Sequence, residues 1–169
     1  IAANGYVYGG RDFDCLDRLA TVRAALPSLD AVYIEQNIES QTDLDPTIHG
    51  VPLVDALDQF DAAEPVFTRL PFDHPLYVLF SSGTTGKPKP IVHRAGGVLL
   101  THMKEQQLAC DIRPGDRVFY FTTTGWMMWN WLATVMANQA AIVVYDGSPA
   151  HPTLSRLFSL IDDIGITFF

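Results

Sequence analysis

Alternating apolar strands and amphipathic helices in the last third of the chain limit its possible folds most strongly. Strands are predicted at 118–121 and 141–145, with a largely apolar helix at 126–137 between them. An amphipathic helix at 153–164 follows, and a further strand begins at 166. This order is typical of βαβ units and a parallel sheet. Wholly apolar strands fit a sheet covered on both faces. We therefore predict an α/β fold with a doubly wound, mostly parallel sheet flanked by helices.

A polar run between two apolar stretches is the most informative local feature. Residues 81–89 read Ser-Ser-Gly-Thr-Thr-Gly-Lys-Pro-Lys, with apolar residues at 76–80 before them and 90–92 after them, which predicts a strand, a loop and a strand. Glycines let backbone N–H groups face one ligand. The hydroxyls add donors and the lysines add positive charge, so we predict that the loop binds a triphosphate. The predicted nucleotide-binding residues are Ser81, Ser82, Gly83, Thr84, Thr85, Gly86, Lys87 and Lys89.

The run differs from the phosphate loop of kinases and GTPases. That loop needs a glycine, four residues and then Gly-Lys-Ser/Thr, whereas Gly83 and Gly86 are three apart and Pro88 follows Lys87. The alternative is a Ser/Gly-rich hairpin turn with solvated lysines, since turns favour these residue types. Nine such residues between two strands favour the ligand-binding interpretation.

The run resembles the phosphate-binding signature of the adenylate-forming superfamily, which comprises acyl-CoA synthetases, luciferases and the adenylation domains of peptide synthetases. Residues 91–97, 121–131 and 145–149 are similar to the acetoacetyl-CoA synthetases within that superfamily, and 4–11 are compatible with them. Pro90 departs from the wider superfamily, in which most members have glycine there.

The resemblance implies a two-step reaction and a set of substrates. A carboxylate, here acetoacetate, attacks the α-phosphorus of ATP with the help of Mg²⁺, and coenzyme A then takes the acyl group from the adenylate. Thr84 and Lys87 are the expected catalytic residues. The adenine and ribose contacts and the closing lysine of the superfamily have no counterpart here. We therefore expect the chain to be inactive alone. It begins without methionine and ends in an apolar run at 166–169, so we expect it to be truncated at both ends and to be part of a large N-terminal domain.

An acyl site is expected around Thr124, Gly125 and Trp126, where a predicted strand gives way to a helix. Ligands of open α/β sheets bind at the carboxyl ends of strands, and the resemblance places the acyl group beside this segment. The alternative is that Trp126, Trp129 and Trp131 fill the core. His93 faces the acyl or phosphate site, or is a hydrogen-bonded core histidine.

The remaining histidines and the cysteines predict no metal site. The surface or a turn is the expected place for His49, His74, His102 and His151. Cys15 and Cys110 are far apart and form no metal-binding motif. We expect both to be free thiols in a reducing compartment, the cytoplasm.

Composition limits the possible partners. The chain has 169 residues, of which 48% are hydrophobic, and a formal charge of −8. A chain of this size builds a substantial core, and the acidic balance argues against nucleic acid. Residues 118–145 lack charge, but polar residues divide them into pieces too short to cross a membrane.

The predicted domain organisation has two parts. Residues 1–75 hold a helix capped by Asp12 that ends before Pro27, a strand at 31–34, and an irregular proline-rich connection with a short helix at 54–60. Residues 76–169 form the α/β subdomain that carries the loop, including a helix at 96–110.

These observations together predict part of an acid–thiol ligase that activates acetoacetate. One rival is the same chemistry with another small acid, such as acetate, propionate or a hydroxybutyrate. A second rival is a fragment that binds nucleotide, or has a purely structural role, without catalysis.

Overall fold

The computed structural model describes residues 1–39, 46–81 and 86–169. Contacts divide them into one unit of 1–66 with 150–154 and a second of 67–149 with 155–169. Parallel strand pairs and helices occur in both units, which confirms the mixed α/β class. The predicted division between residues 75 and 76 stays a prediction.

The first unit contains a small parallel sheet, a hairpin and two helices. Its elements are β1 (Ala2–Ala3), β2 (Gly5–Tyr8), β3 (Arg11–Asp14), α1 (Leu16–Ala25), β4 (Val32–Glu35), β5 (Gly50–Pro52) and α2 (Leu53–Leu57). The parallel sheet has the order β1-β4-β5, and β2 pairs antiparallel with β3. A buried cluster of Leu16, Val32, Ile34 and Ile48 joins α1 to this sheet.

The predicted start of the first helix was wrong. Asp12 lies inside β3, where it pairs with Val7, and the rings of Tyr6 and Phe13 stack beside it at 5.1 Å. Cross-strand contacts of this kind stabilise the hairpin, so α1 begins only at Leu16. The Oδ1 atom of Asp14 accepts a 2.7 Å hydrogen bond from the Leu16 amide. The carboxylate that binds the first amide of the helix therefore lies two residues further along than the sequence suggested, and the N-cap residue itself is Cys15.

The second unit contains the predicted strand–loop–strand and a βαβ unit. Its elements are β6 (Pro75–Ser81), β7 (Lys89–Arg94), α3 (Ala95–Lys104), β8 (Arg117–Phe119), α4 (Met127–Thr134), β9 (Ala141–Val143) and α5 (Arg156–Ile164). A π-helical turn (Glu105–Ala109) follows α3, and a 3₁₀ turn (Val135–Asn138) follows α4. The strands β6 and β7 are antiparallel, while β8 and β9 are parallel.

The parallel pair and α4 form the predicted strand–helix–strand unit. Val118, Leu132 and Val135 are almost completely buried in its core. Phe168 makes a single parallel bridge to Val118, as expected for a further strand beginning at 166. Gly165 ends α5 with a left-handed φ of +71°, and its amide donates to the Ile161 carbonyl at 2.9 Å. The alternation seen in the sequence is therefore confirmed.

The helix predicted at 96–110 is divided in the structure. Regular α-helix ends at Lys104, and the amide of Cys110 then donates to the Glu105 carbonyl at 3.0 Å, five residues back. Such i→i+5 turns widen a helix locally and occur often at functional sites. At the other end, the amides of Ala95 and Gly96 donate to the carbonyls of His74 and Phe72, each at 2.9 Å. The segment before β6 thus fixes the start of α3.

No helix in the three described segments has both the length and the apolar character that crossing a membrane requires.

Candidate active site

The hairpin of β6 and β7 carries the predicted phosphate loop. Ser81 ends β6 and pairs with Lys89, the first residue of β7, so the two strands close at the base of the loop. Gly86 has φ of +141°, which a side chain would oppose, and Lys87 is exposed to solvent. Both lysines are therefore accessible to an anion. The predictions for Ser82, Gly83, Thr84 and Thr85 lie outside the described residues.

A cavity of about 530 Å³ lies at the opposite end of the same hairpin. It is lined by Tyr77, Val92, His93, Arg94, Gly97, Val98, Thr101, His102, Glu105, Met127, Met128 and Trp131. Small-molecule sites have volumes in this range. They are also lined by apolar side chains with a few polar groups, as this cavity is. Tyr77 and Ser81 are four residues apart on one strand, which is about 14 Å at a rise near 3.4 Å per residue. One hairpin therefore carries both the loop and a wall of the cavity.

His93 lies in the cavity wall, next to the last residue of β7. It pairs with Tyr77 across the hairpin, and the two rings are 5.2 Å apart. Its side chain is half-buried. Burial raises the pKa of the Tyr77 phenol above its ordinary value, because burial disfavours the phenolate. His93 thus lines the cavity, and its role in binding substrate stays a prediction.

Thr124, Gly125 and Trp126 lie just before α4 and are all exposed. Trp126 is 66% exposed and does not line the cavity, whereas its neighbours Met127 and Met128 do. Trp131 also lines the cavity and is 7% exposed, in agreement with its predicted core role. The structure brings His93 to the cavity but not Thr124, Gly125 or Trp126. Their assignment to the acyl site stays a prediction.

His102 was expected at the surface or in a turn, and that expectation was wrong. It is 8% exposed, lines the cavity, and places its Nδ1 atom 3.0 Å from the Thr134 hydroxyl. Val98, His102 and Gln106 form an i, i+4, i+8 row that faces inward. This position was missed because the polar His102 carries no apolar signal. The buried Val98 four residues earlier was the signal that could have identified His102.

A chain of buried hydrogen bonds continues from Thr134. The Gln106 side chain donates to the Trp131 carbonyl at 2.8 Å and to the Thr134 hydroxyl at 3.0 Å. The Asn138 amide donates to the Gln106 carbonyl oxygen at 2.7 Å. Gln106 is fully buried. Because each polar group here has a partner, the network holds the floor of the cavity in one arrangement.

Burial controls the ionisation of the groups around this floor. It lowers the pKa of His102 below its ordinary value, while the nearby Glu105 carboxylate acts in the opposite direction and His93 adds to the lowering. The neutral imidazole is therefore the favoured form. Burial also raises the pKa of the Cys110 thiol, with the Glu105 charge adding to the effect.

The described residues provide a place for anions but no metal cage. No three His, Cys, Asp or Glu side chains within 1–39, 46–81 and 86–169 are grouped to hold an ion. The exposed Lys87 and Lys89 fit the charge of a triphosphate. Mg²⁺ commonly binds through substrate phosphates with only one or two carboxylates, so its fit here depends on the nucleotide.

The sequence profile of the family described as AMP-binding enzyme matches residues 15–169. An acetoacetyl-coenzyme A synthetase from Rhizobium meliloti is 51% identical over 160 residues, covering 94% of this chain and 24% of the relative. A malonamoyl-CoA synthetase from Penicillium aethiopicum is 40% identical over 182 residues, covering 98% of this chain and 25% of the relative.

A solved structure gives the same result. The acetoacetyl-CoA synthetase from Streptomyces lividans superposes with a TM-score of 0.85 at 42% sequence identity, covering 98% of this chain and 25% of that one. The chain therefore spans about a quarter of the length of the proteins that it matches.

Proposed function

Because the chain belongs to the AMP-binding enzyme family, we propose that it is part of an acid–thiol ligase that activates acetoacetate and transfers it to coenzyme A. The observation that carries the proposal is the hairpin of β6 and β7. It presents two accessible lysines at its loop and one wall of a small-molecule cavity at its other end. The similarity to acetoacetyl-CoA synthetases at 42–51% identity supports the choice of acid.

The reaction joins an acid to a thiol in two steps. The carboxylate oxygen attacks the α-phosphorus of ATP, and the bond to the departing pyrophosphate breaks, giving an acyl-adenylate. The sulfur of coenzyme A then attacks the acyl carbon, and AMP leaves. The first step must bring two anions together, so fixed positive charge and correct orientation provide most of the catalysis.

The residues of the loop divide this task. Lys87 and Lys89 neutralise the β- and γ-phosphates, and Ser81, Ser82, Gly83, Thr84, Thr85 and Gly86 donate hydrogen bonds to them. Thr84 and Lys87 act in catalysis because the charge on the departing pyrophosphate grows in the transition state. Mg²⁺, when bound to the phosphates, neutralises further charge.

The cavity receives the acyl group. His93 contributes to its wall, while Thr124, Gly125 and Trp126 form the approach to it at the start of α4. Met127, Met128 and Trp131 give the apolar surface that a short carbon chain needs. Cys15 and Cys110 are both free thiols in the structure, which supports a reducing compartment, the cytoplasm.

The test is acid-dependent exchange of labelled pyrophosphate into ATP. It requires the full-length protein that contains this chain, with acetoacetate, acetate, propionate and 3-hydroxybutyrate compared at equal concentration. Exchange that acetoacetate drives most strongly supports the proposal. The chain of residues 1–169 serves as a control, and we expect no exchange from it because it covers only a quarter of its relatives. Pyrophosphate exchange by residues 1–169 alone would contradict the expectation that this chain is inactive by itself.

A second acid is a specific alternative. The malonamoyl-CoA synthetase relative is almost as similar as several acetoacetyl-CoA synthetases, at 40% identity. Malonamate has the same chain length as acetoacetate and an amide in place of the terminal methyl ketone. Adding it to the exchange assay separates the two substrates directly. No exchange with any acid would favour a nucleotide-binding or structural role without catalysis.

A further inference from the structure

The hydrogen bonds of Thr134 fix which ring nitrogen of His102 carries a proton. The Thr134 hydroxyl lies 2.7 Å from the Trp131 carbonyl oxygen, and two oxygens at that distance need a hydrogen between them. A threonine hydroxyl has only one hydrogen. The same hydroxyl lies 3.0 Å from Nδ1 of His102, so Nδ1 must donate to it. The neutral imidazole of His102 is therefore the form with hydrogen on Nδ1.

The other nitrogen of His102 has its lone pair available to the cavity. Nε2 has no hydrogen-bond partner among the described residues. Every completely buried side-chain nitrogen or oxygen in those residues does have a partner, so Nε2 is not completely buried. Nε2 must therefore retain contact with the cavity that His102 lines. In the neutral ring this atom is an acceptor only.

The charged and titratable groups around His102 come from three elements. Glu105 begins the π-helical turn that follows α3, His93 and Arg94 lie on β7, and Tyr77 lies on β6. Arg94 pairs with Asp73 at 3.3 Å, whereas α4 and the turn after it present no charged side chain. Glu105 favours the protonated ring, and His93 and burial oppose it. The ring is thus held neutral with a carboxylate close enough to stabilise a second proton.

His102 lines the cavity at the end of the hairpin opposite the loop. The acid's carboxylate must reach the phosphorus of a nucleotide held at the loop between Ser81 and Lys89. The other end of a short acid then lies deeper in the cavity. A polar atom at C3 loses its water there and needs a partner. His102 is the most buried titratable group among the described residues of the cavity wall.

We propose that His102 determines which C3 substituent the acyl site accepts. The neutral ring accepts a hydrogen bond at Nε2 from the hydroxyl of a 3-hydroxy acid. A 3-oxo acid offers only an accepting oxygen at C3, so the ring binds it with a second proton on Nε2. Binding of the 3-oxo acid therefore takes up one proton from solution, and binding of the 3-hydroxy acid takes up none. The inference rests on the proposed function, because it assumes that the cavity binds the acyl group.

The preference between the two acids must then change with pH. Apparent affinity falls in proportion to the fraction of protein in the competent state. Above the pKa of His102, each pH unit reduces the doubly protonated fraction about tenfold while the neutral fraction stays nearly constant. The ratio of kcat/KM for acetoacetate to kcat/KM for 3-hydroxybutyrate should therefore fall by up to about tenfold per pH unit between pH 7 and 9. Taking the ratio cancels pH effects on ATP, coenzyme A and the loop.

The experiment measures this ratio in the full-length protein and in two variants. His102→Gln offers both an amide donor and a carbonyl acceptor without titrating, so its ratio should be independent of pH. His93→Gln is the matched control, since it removes the other imidazole of the cavity, and the slope should remain. A pH-independent ratio in the unsubstituted protein, or a slope that persists in His102→Gln, would overturn the inference.

A binding measurement gives the same answer without a variant. Calorimetric titration in buffers of different ionisation enthalpy reports proton uptake. At pH 8 we expect close to one proton with acetoacetate and none with 3-hydroxybutyrate. Equal proton uptake for both acids would overturn the inference alone. Absence of turnover and binding for both acids would overturn the proposed function, and the inference with it.

Discussion

Gly96 lies so close to the Phe72 ring that a Cβ on Gly96 would be 2.1 Å from Cδ2 of Phe72. The amide of Gly96 also donates to the Phe72 carbonyl. These contacts join the start of α3 to the segment before β6. The position of α3 in turn sets where Val98, Thr101 and His102 meet the cavity.

Gly96→Ala should therefore destabilise the protein by about 1–3 kcal/mol, since the added methyl group forces the Phe72 ring to move. Gly97→Ala is the matched control on the same helix. A Cβ at Gly97 meets nothing within 4 Å, and alanine favours helix over glycine by about 1 kcal/mol at most. Thermal unfolding of both variants tests the contact. Equal melting temperatures for the two would show that Phe72 does not constrain Gly96.

Lys87→Ala in the full-length protein should slow adenylate formation without changing the fold. Loss of one charge-assisted contact to a phosphate costs about 1.5–3 kcal/mol, which is roughly a ten- to hundredfold loss of rate. Pyrophosphate exchange measures the rate, and circular dichroism measures the fold. Lys104→Ala is the matched control, because Lys104 is exposed and makes only a 3.8 Å surface ion pair with Glu105. An unchanged exchange rate in Lys87→Ala would support the alternative that Lys87 is a solvated residue of a turn and does not bind phosphate.

Gln106→Leu should destabilise the second unit by about 2–4 kcal/mol, because several buried partners would lose hydrogen bonds. The affected groups are the Asn138 amide, the Trp131 carbonyl and the Thr134 hydroxyl. The exposed neighbour Gln107, which bonds to Asn138 at 2.6 Å, provides a comparison of the same residue type. Urea unfolding of Gln106→Leu and Gln107→Leu should show the larger loss for the buried residue. A larger loss for Gln107→Leu would argue against the network.

Cys110 should react slowly with iodoacetamide near neutral pH. Only the thiolate reacts, and burial and Glu105 raise the pKa of this thiol above its ordinary value of 9.0. Mass spectrometry of the native chain gives the rate, and the urea-unfolded chain is the reference. Glu105→Gln removes the nearby charge and should increase the rate. Equal rates of reaction for Cys110 in the native and the unfolded chain would contradict the raised pKa of this thiol.

Asp116 should contribute stability that acid removes. The Arg113 amide at 2.5 Å and the Thr167 hydroxyl at 2.8 Å donate to its carboxylate and lower its pKa below the ordinary value of 3.8. A carboxyl with a lowered pKa in the folded state stabilises fully above its unfolded pKa, and the contribution disappears as pH falls through the folded pKa. The difference in melting temperature between the original chain and Asp116→Asn should shrink from pH 6 to pH 3. A difference in melting temperature that does not change with pH would show that Asp116 does not stabilise the fold through its negative charge.

The sequence predicted those parts of the fold that depend on local pattern. The hairpin around residues 81–89 and the βαβ unit after 117 follow from apolar runs separated by turn residues, and the structure contains both. The phosphate-loop residues were found because their types and spacing are unusual. Tertiary contacts decided what the pattern could not. Pairing with β2 made Asp12 part of a strand, although its side chain suits a helix cap.

The cavity floor was missed for a similar reason. His102 and Gln106 are polar, so apolar periodicity does not mark the inner face of α3, whereas the apolar Leu99 is 43% exposed. Their burial depends on partners about 30 residues later in the chain, above all Thr134. Polar residues that bond to one another across two helices leave no periodic signal in either helix.

The π-helical turn at Glu105–Ala109 has a consequence for how sequences of this region differ. A turn closed by an i→i+5 bond contains one residue more than an α-turn. Val98, His102 and Gln106 keep α-helical spacing, so the extra residue changes the path of the chain only after Gln106, where Ile112 enters the core. Removing a single residue within this turn would rotate everything after it by one helical position and move Ile112 out of its place in the core. Length at this point should therefore be constrained more tightly than residue identity, so that insertions and deletions are tolerated less here than substitutions.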